Sequence, residues 1–112
     1  MRIEKELMRG AGPAAVLTLL EAGEKYGYEL VQLLDRHSSG VLAMGQSTLY
    51  PLLYNLEAKG LVASRAQEAE NGRPRKYYRL TRKGTQQLAR HRKQWEALAA
   101  AMNKLGVSAS RT

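Results

Sequence analysis

The sequence predicts a mainly α-helical chain that carries one small β-hairpin and ends in a long helix. Three observations lead there. Apolar residues recur at helical spacing in successive segments up to Gly60. Between residues 61 and 80 the pattern shortens to two strand-like runs around Asn71-Gly72-Arg73-Pro74, which is turn chemistry. From Thr81 onward helical spacing returns and persists to about Leu105.

Residues 2–9 form a short, charged amphipathic stretch, expected to be a helical turn or two broken by Gly10 and Gly12. Pro13 then suits the first position of a new helix. Its stripe is Ala14, Val16, Leu17, Leu19 and Leu20, and it stops at Gly23. A second helix is expected over 26–38, with Leu30, Leu33 and Leu34 inward and Ser38-Ser39-Gly40 closing it. A third is expected over 46–59, ended by Gly60 in the left-handed conformation that terminates many helices. Pro51 costs this helix one hydrogen bond if it starts before Ser47, and little if it starts there; the sequence leaves both open. The strands are expected at 61–67 and 76–80, with Pro74 in the loop because it cannot donate to a ladder. Thr81 caps the last helix, and residues 108–112 form a disordered tail.

Charge points to a partner. The chain carries +8 at pH 7. Residues 65–93 hold ten Lys/Arg against two Glu, and the remainder balances at eight of each sign. Charge focused in this way implies a polyanion: DNA, RNA or anionic lipid. There is no cysteine, so neither a disulfide framework nor a thiolate metal site is expected. His37 and His91 match no metal-ligand spacing, and no metal or cofactor is expected. No segment reaches the ~20 apolar residues of a membrane span. Arg2, Glu4, Lys5 and Glu6 stand where a signal peptide would be apolar, so a cytoplasmic location is expected.

Three helices followed by a basic hairpin is the layout of a winged helix-turn-helix. On the third helix Leu49, Leu52, Leu53 and Leu56 share the core face. Opposite them lie Ser47, Tyr50, Pro51, Tyr54 and Ala58, flanked by Thr48 and Asn55. Hydroxyls, phenols and an amide suit base edges and phosphates in a major groove. That helix is nearly uncharged, and the hairpin supplies what it lacks: Arg73, Arg75 and Lys76 at the tip, Arg65 and Arg79 on the strands. The candidate DNA-binding set is therefore Gln46, Ser47, Thr48, Tyr50, Tyr54, Arg73, Arg75 and Lys76. A solvated helix face and an ordinary loop are the bland alternatives for each part alone.

On the last helix Leu88, His91, Trp95, Leu98, Met102 and Leu105 alternate three- and four-residue steps, the spacing of a coiled-coil seam. One winged helix cannot cover so long a stripe. A second subunit is the simplest partner, and packing against residues 2–20 is the intramolecular alternative. His91 is read as a tolerated polar position rather than a pH switch.

The segments Tyr26-Gly27-Tyr28-Glu29-Leu30, Ser47-Thr48-Leu49-Tyr50-Pro51-Leu52-Leu53, Leu56-Glu57-Ala58-Lys59-Gly60-Leu61-Val62 and Gly72-Arg73-Pro74-Arg75-Lys76-Tyr77-Tyr78-Arg79-Leu80-Thr81, followed by Gly84, lie in that order. Together they resemble the PadR family of bacterial transcriptional regulators, in its short-tailed subgroup. Ser47 departs from the glycine common at that position, which alters how the helix begins. The resemblance implies a dimeric repressor, relieved by a small-molecule or stress signal, that binds a pseudo-palindromic duplex operator. It also implies a DNA-binding domain over 1–81 and a dimerisation helix over 82–107. Trp95 coincides with an aromatic position that lines an effector cavity in multidrug-sensing relatives. Trp95 and Ala99 are thus candidate contacts for an aromatic effector, with plain packing the alternative for the indole.

An enzyme is not expected. Glu4/Glu6 and Glu68/Glu70 are solvated carboxylates, and Gly10-Ala11-Gly12-Pro13-Ala14-Ala15 lacks the preceding strand a dinucleotide fingerprint requires. RNA readers present aromatic platforms, whereas adjacent Tyr77 and Tyr78 alternate faces of one strand. A membrane surface would need basic residues opposite a strong apolar stripe, and the stripe of the last helix is better used as a seam.

Overall fold

The computed structural model describes residues 1 and 3–107; Arg2 and the tail expected at 108–112 lie outside the described residues. Four helices enclose one side of a small antiparallel sheet: α1 (Lys5–Glu21), β1 (Lys25–Tyr26), α2 (Gly27–His37), α3 (Gln46–Ala58), β2 (Val62–Glu68), β3 (Pro74–Leu80) and α4 (Arg82–Leu105). The strand order is β1-β3-β2, so β3 lies in the middle. This is a winged helix with a long C-terminal helix. No helix among the described residues is long and apolar enough to cross a membrane.

The amino-terminal region corrects the expected break. Rather than ending at Gly10 and restarting at Pro13, α1 is continuous through Gly10, Gly12 and Pro13. Met8, Gly12, Val16 and Leu20 fall at four-residue steps along one face. Gly12 belongs to that stripe because it has no side chain: a Cβ there would stand 3.2 Å from Leu52 Cδ1. Tertiary packing thus overrides the local cost of proline, about 3 kcal/mol in a helix interior. Arg9 and Pro13 border an open cleft, where a carbonyl that loses its helical partner can be solvated.

The core collects Val16, Leu17 and Leu20 of α1, Leu30 and Leu34 of α2, Leu49, Leu53 and Leu56 of α3, Val62, Tyr78 and Leu88. Leu33, expected inward, is half-buried, as is Leu52. Burying each leucine contributes roughly 1.5–3 kcal/mol, so the three on α3 alone fix that helix's rotation. Its polar face is thereby forced outward.

Two further differences concern the sheet. Lys25–Tyr26 forms a strand where the sequence suggested the approach to a helix, pairing Lys25 with Tyr78 and Tyr26 with Tyr77. Pro74 is in the ladder rather than the loop, opposite Glu68. It is the first residue of β3, a position where a missing N–H is tolerated.

At the junction between α3 and α4, Gly60 adopts φ 76°, and Leu61 N–H donates to the Leu56 carbonyl at 2.9 Å. Thr81 Oγ1 accepts from Gly84 N–H at 3.0 Å, the cap expected from sequence, and donates to the Gly60 carbonyl at 2.6 Å. Lys83 Nζ donates to the Lys59 carbonyl at 2.9 Å. The end of α3, the root of the hairpin and the start of α4 are therefore one hydrogen-bonded knot.

Candidate nucleic-acid interface

The third helix begins at Gln46, with Gly45 as its N-cap. That start resolves the position of Pro51: it lies in the second turn, and Ser47 loses the partner that residue 51 would have supplied. Gln46, Ser47 and Thr48 are exposed along the first turn. Tyr54 is 54% exposed, with its ring 6.4 Å from that of Tyr50. Tyr50 is half-buried because it lies on Gly27, where a Cβ would stand 2.5 Å from the phenol oxygen. The glycine opening α2 thereby seats one of the two candidate tyrosines.

The hairpin turns through residues 69–73, with the Ala69 N–H donating to the Arg73 carbonyl at 2.8 Å and the Arg73 N–H donating to Asn71 Oδ1 at 3.1 Å. Alternation along β3 then sends its cations to opposite faces. Lys76 and Tyr78 face α3, and Lys76 Nζ lies 5.2 Å from the centroid of the Tyr54 ring. Arg75 and Tyr77 face outward. The Arg75 guanidinium lies 4.4 Å over Tyr26, which meets Tyr77 edge-on at 5.6 Å between centroids. The wing is held by aromatic contacts on both faces, each cation–π pair contributing about 0.5–1 kcal/mol where exposed.

Arg65 and Arg79 lie on β2 and β3, as expected, but Arg65 is engaged within the chain. Arg65 donates two hydrogen bonds to Glu24, at 2.9 and 2.6 Å, and lies over Tyr77. Those hydrogen bonds hold the Glu24 carboxyl below its usual range, and Arg79 adds a smaller pull. Arg65 thus braces the sheet against the α1–β1 turn and is less available to a polyanion. Buried Tyr78 has its hydroxyl pushed up to about 12 by burial, with no hydrogen-bond partner among the described residues.

Between α3, the start of α2 and the wing lies a crevice of about 490 Å3, lined by Tyr26, Tyr28, Tyr50, Tyr54, Arg73, Arg75, Lys76 and Tyr78 among others. The eight expected contact residues therefore divide five and three: Tyr50, Tyr54, Arg73, Arg75 and Lys76 border one concavity, while Gln46, Ser47 and Thr48 stand at the exposed start of α3. Sequence reasoning missed Tyr26 and Tyr28, whose signal was the Tyr-Gly-Tyr run that opens α2. It also passed over Glu57, which approaches Lys76 at 3.8 Å.

The last helix offers a separate surface. Leu88 was expected in the intersubunit seam, yet it is 1% exposed and packs in the core of its own chain. Further along, Trp95 is 55% exposed, Leu98 53% and Leu105 79%, with Met102 also exposed. Packing against α1 covers only the first turns of the stripe; Arg92 fixes it there by two hydrogen bonds to Glu21, at 2.9 and 2.8 Å. His91 is half-buried, its Nε2 2.8 Å from the Gln87 amide nitrogen. A groove of about 390 Å3 runs between α1 and α4, bordered by Ala11, Ala14, Ala15, Thr18, His91 and Trp95 among others. Ala99, the other candidate effector contact, does not border it.

Residues 16–90 match the model of the transcriptional regulator PadR-like family. The chain is 38% identical over 95 residues to the transcriptional regulator Rv3488 of Mycobacterium tuberculosis, covering 85% of each. Among solved structures it is similar to a PadR family transcriptional regulator from Eggerthella lenta, at 37% identity and TM-score 0.80, covering 94% of this chain and 88% of that one. A transcriptional regulator from Clostridium thermocellum is similar at 28% identity and TM-score 0.82, covering 91% and 96%.

Proposed function

This chain belongs to the PadR-like family of transcriptional regulators, and we propose that it works as a cytoplasmic, dimeric repressor that binds a pseudo-palindromic duplex operator. The observation that carries the proposal is the division of chemistry around the crevice between α3 and the wing. The hydroxyl- and phenol-bearing face of α3 opens on one side, with Gln46, Ser47, Thr48, Tyr50 and Tyr54 meeting base edges and nearby phosphates. Arg73, Arg75 and Lys76 supply phosphate contacts from the other. Affinity comes from the wing and sequence preference from the helix.

Residues 1–81 form the DNA-binding part and residues 82–107 the dimerisation helix. The exposed run Trp95, Leu98, Met102 and Leu105 supports a second copy as its cover, with His91 at the edge of the seam. An aromatic effector fits the same region, where Trp95 borders the α1–α4 groove and symmetry would bring a second indole close. Ligand bound there would change the spacing of the two third helices and relieve repression.

Changing Arg73 and Arg75 together to alanine is expected to weaken operator and unrelated duplexes by similar factors. The slope of log affinity against log salt should fall by about two. Titration of labelled duplexes at several salt concentrations checks this; unchanged affinity and slope would remove the wing from the interface.

A further inference from the structure

Glu57 is a carboxylate set beside the surface that would meet a polyanion. It stands on α3 one turn past Tyr54. Its Oε2 accepts a hydrogen bond from Ser64 Oγ of β2 at 2.5 Å, and its Oε1 lies 3.8 Å from Lys76 Nζ of β3. The hydroxyl anchors one oxygen and leaves the other aimed at the lysine. Lys76 Nζ also lies 5.2 Å from the Tyr54 ring and 5.7 Å from the Tyr78 ring. The ammonium therefore has one acidic and two aromatic neighbours, all on the α3 side of the wing. Glu57 and Lys76 keep 34% and 46% of their side-chain surface, so solvent and a ligand can reach the pair.

We propose that Glu57 is a positioning and specificity-determining residue that holds Lys76 against α3 and keeps it from contacting phosphate on arbitrary DNA. The proposal rests on the DNA-binding function given above. Binding without sequence preference is electrostatic and grows with each cation that can displace a counterion. A lysine paired to a carboxylate must give up that pair before it adds such a contact. Among the described residues no carboxylate pairs with Arg73 or Arg75 in the same way; Arg75 rests on an aromatic ring. Glu57 thus lowers affinity for non-operator duplexes by one cation. The same contact keeps Tyr54 under the lysine, where its exposed phenol is presented to base edges. Specificity, the ratio of operator to non-operator binding, rises because only on an operator do the base contacts of α3 hold the wing close enough for Lys76 to exchange Glu57 for a phosphate.

The test is a cycle of Glu57→Gln, Lys76→Ala and the double variant, each titrated with a non-operator duplex from 50 to 200 mM salt. Glutamine keeps the shape and the acceptor for Ser64, and both side chains are partly exposed, so the fold is retained. Glu57→Gln is expected to tighten non-operator binding by about tenfold at 50 mM. Its salt slope should steepen by about one, which makes the gain about threefold larger at 50 than at 200 mM. In the Lys76→Ala background the same change should alter affinity by less than about twofold. An unchanged slope, or an undiminished effect without Lys76, would overturn the role, the second because Glu57 would then act only as bulk charge. A wild-type protein that binds no duplex would overturn both this role and the function beneath it, whereas a binding wild type with a flat cycle overturns only the role of Glu57.

Discussion

Replacing Leu98 by glutamate is expected to leave a folded monomer and to cost at least about a hundredfold in operator affinity. Leu98 is 53% exposed in the single chain and is not part of its core, so the fold of each subunit does not depend on it. In a two-fold seam every residue is present twice. One substitution would bring two carboxylates into the apolar centre formed by Trp95, Leu98 and Met102. An unpaired buried charge costs about 3–5 kcal/mol, and a factor of ten in association is lost for every ~1.4 kcal/mol. Operator binding suffers with the dimer because the second half-site contact becomes bimolecular, forfeiting an advantage of about 10²–10⁴. Sedimentation equilibrium beside an operator titration reads both quantities. A dimer that persists with undiminished affinity would place the subunit contact elsewhere.

Gly84→Ala is expected to be the most damaging change for the fold. A Cβ at Gly84 would stand 1.9 Å from the Leu61 carbonyl oxygen and 3.0 Å from its carbon. Neither can move aside like a side chain, since the same oxygen accepts from Thr81 N–H at 3.1 Å. Inserting one methyl group into a tight core costs about 1–3 kcal/mol when side chains can yield. Here backbone must yield, and the loss should exceed about 3 kcal/mol of a total that is typically 5–15. Thermal denaturation followed by circular dichroism should show the midpoint lowered by more than about 10 °C. A midpoint within a few degrees of wild type would mean that α4 can pivot freely at its root. The contact also fixes the direction in which α4 leaves the winged helix.

Much of the architecture was legible because it rests on strong local signals. The leucines of α3 define one face at helical spacing, and the polar face follows by exclusion. Gly60 and Thr81 each carry their structural role in their own chemistry, as a left-handed terminator and an N-cap. What escaped depends on partners distant in sequence. Gly12 gives no apolar signal, yet its bare Cα receives Leu52 on a helix that runs on across Pro13. A strand of two residues, Lys25–Tyr26, cannot display alternation and exists only through β3.

The candidate site shows the same limit. The charge density of the wing was visible, but its distribution between faces was not. Adjacent Arg75 and Lys76 must point apart once β3 is a strand, and which face meets α3 depends on Tyr78 being buried. Arg65 looked like one more cation until Glu24, across the sheet, was found to hold it. Likewise Leu88 fits the seam by spacing, and only packing reveals that its own chain has already enclosed it.

Selection of bound duplexes from a random pool, using the full chain, tests the central claim most directly. Two-fold symmetry predicts an enriched pseudo-palindrome whose half-sites are centred about 10 bp apart or a multiple of that. Enrichment of a single non-repeated site would contradict the dimer, and a pool that stays random after repeated rounds would contradict sequence-specific DNA binding.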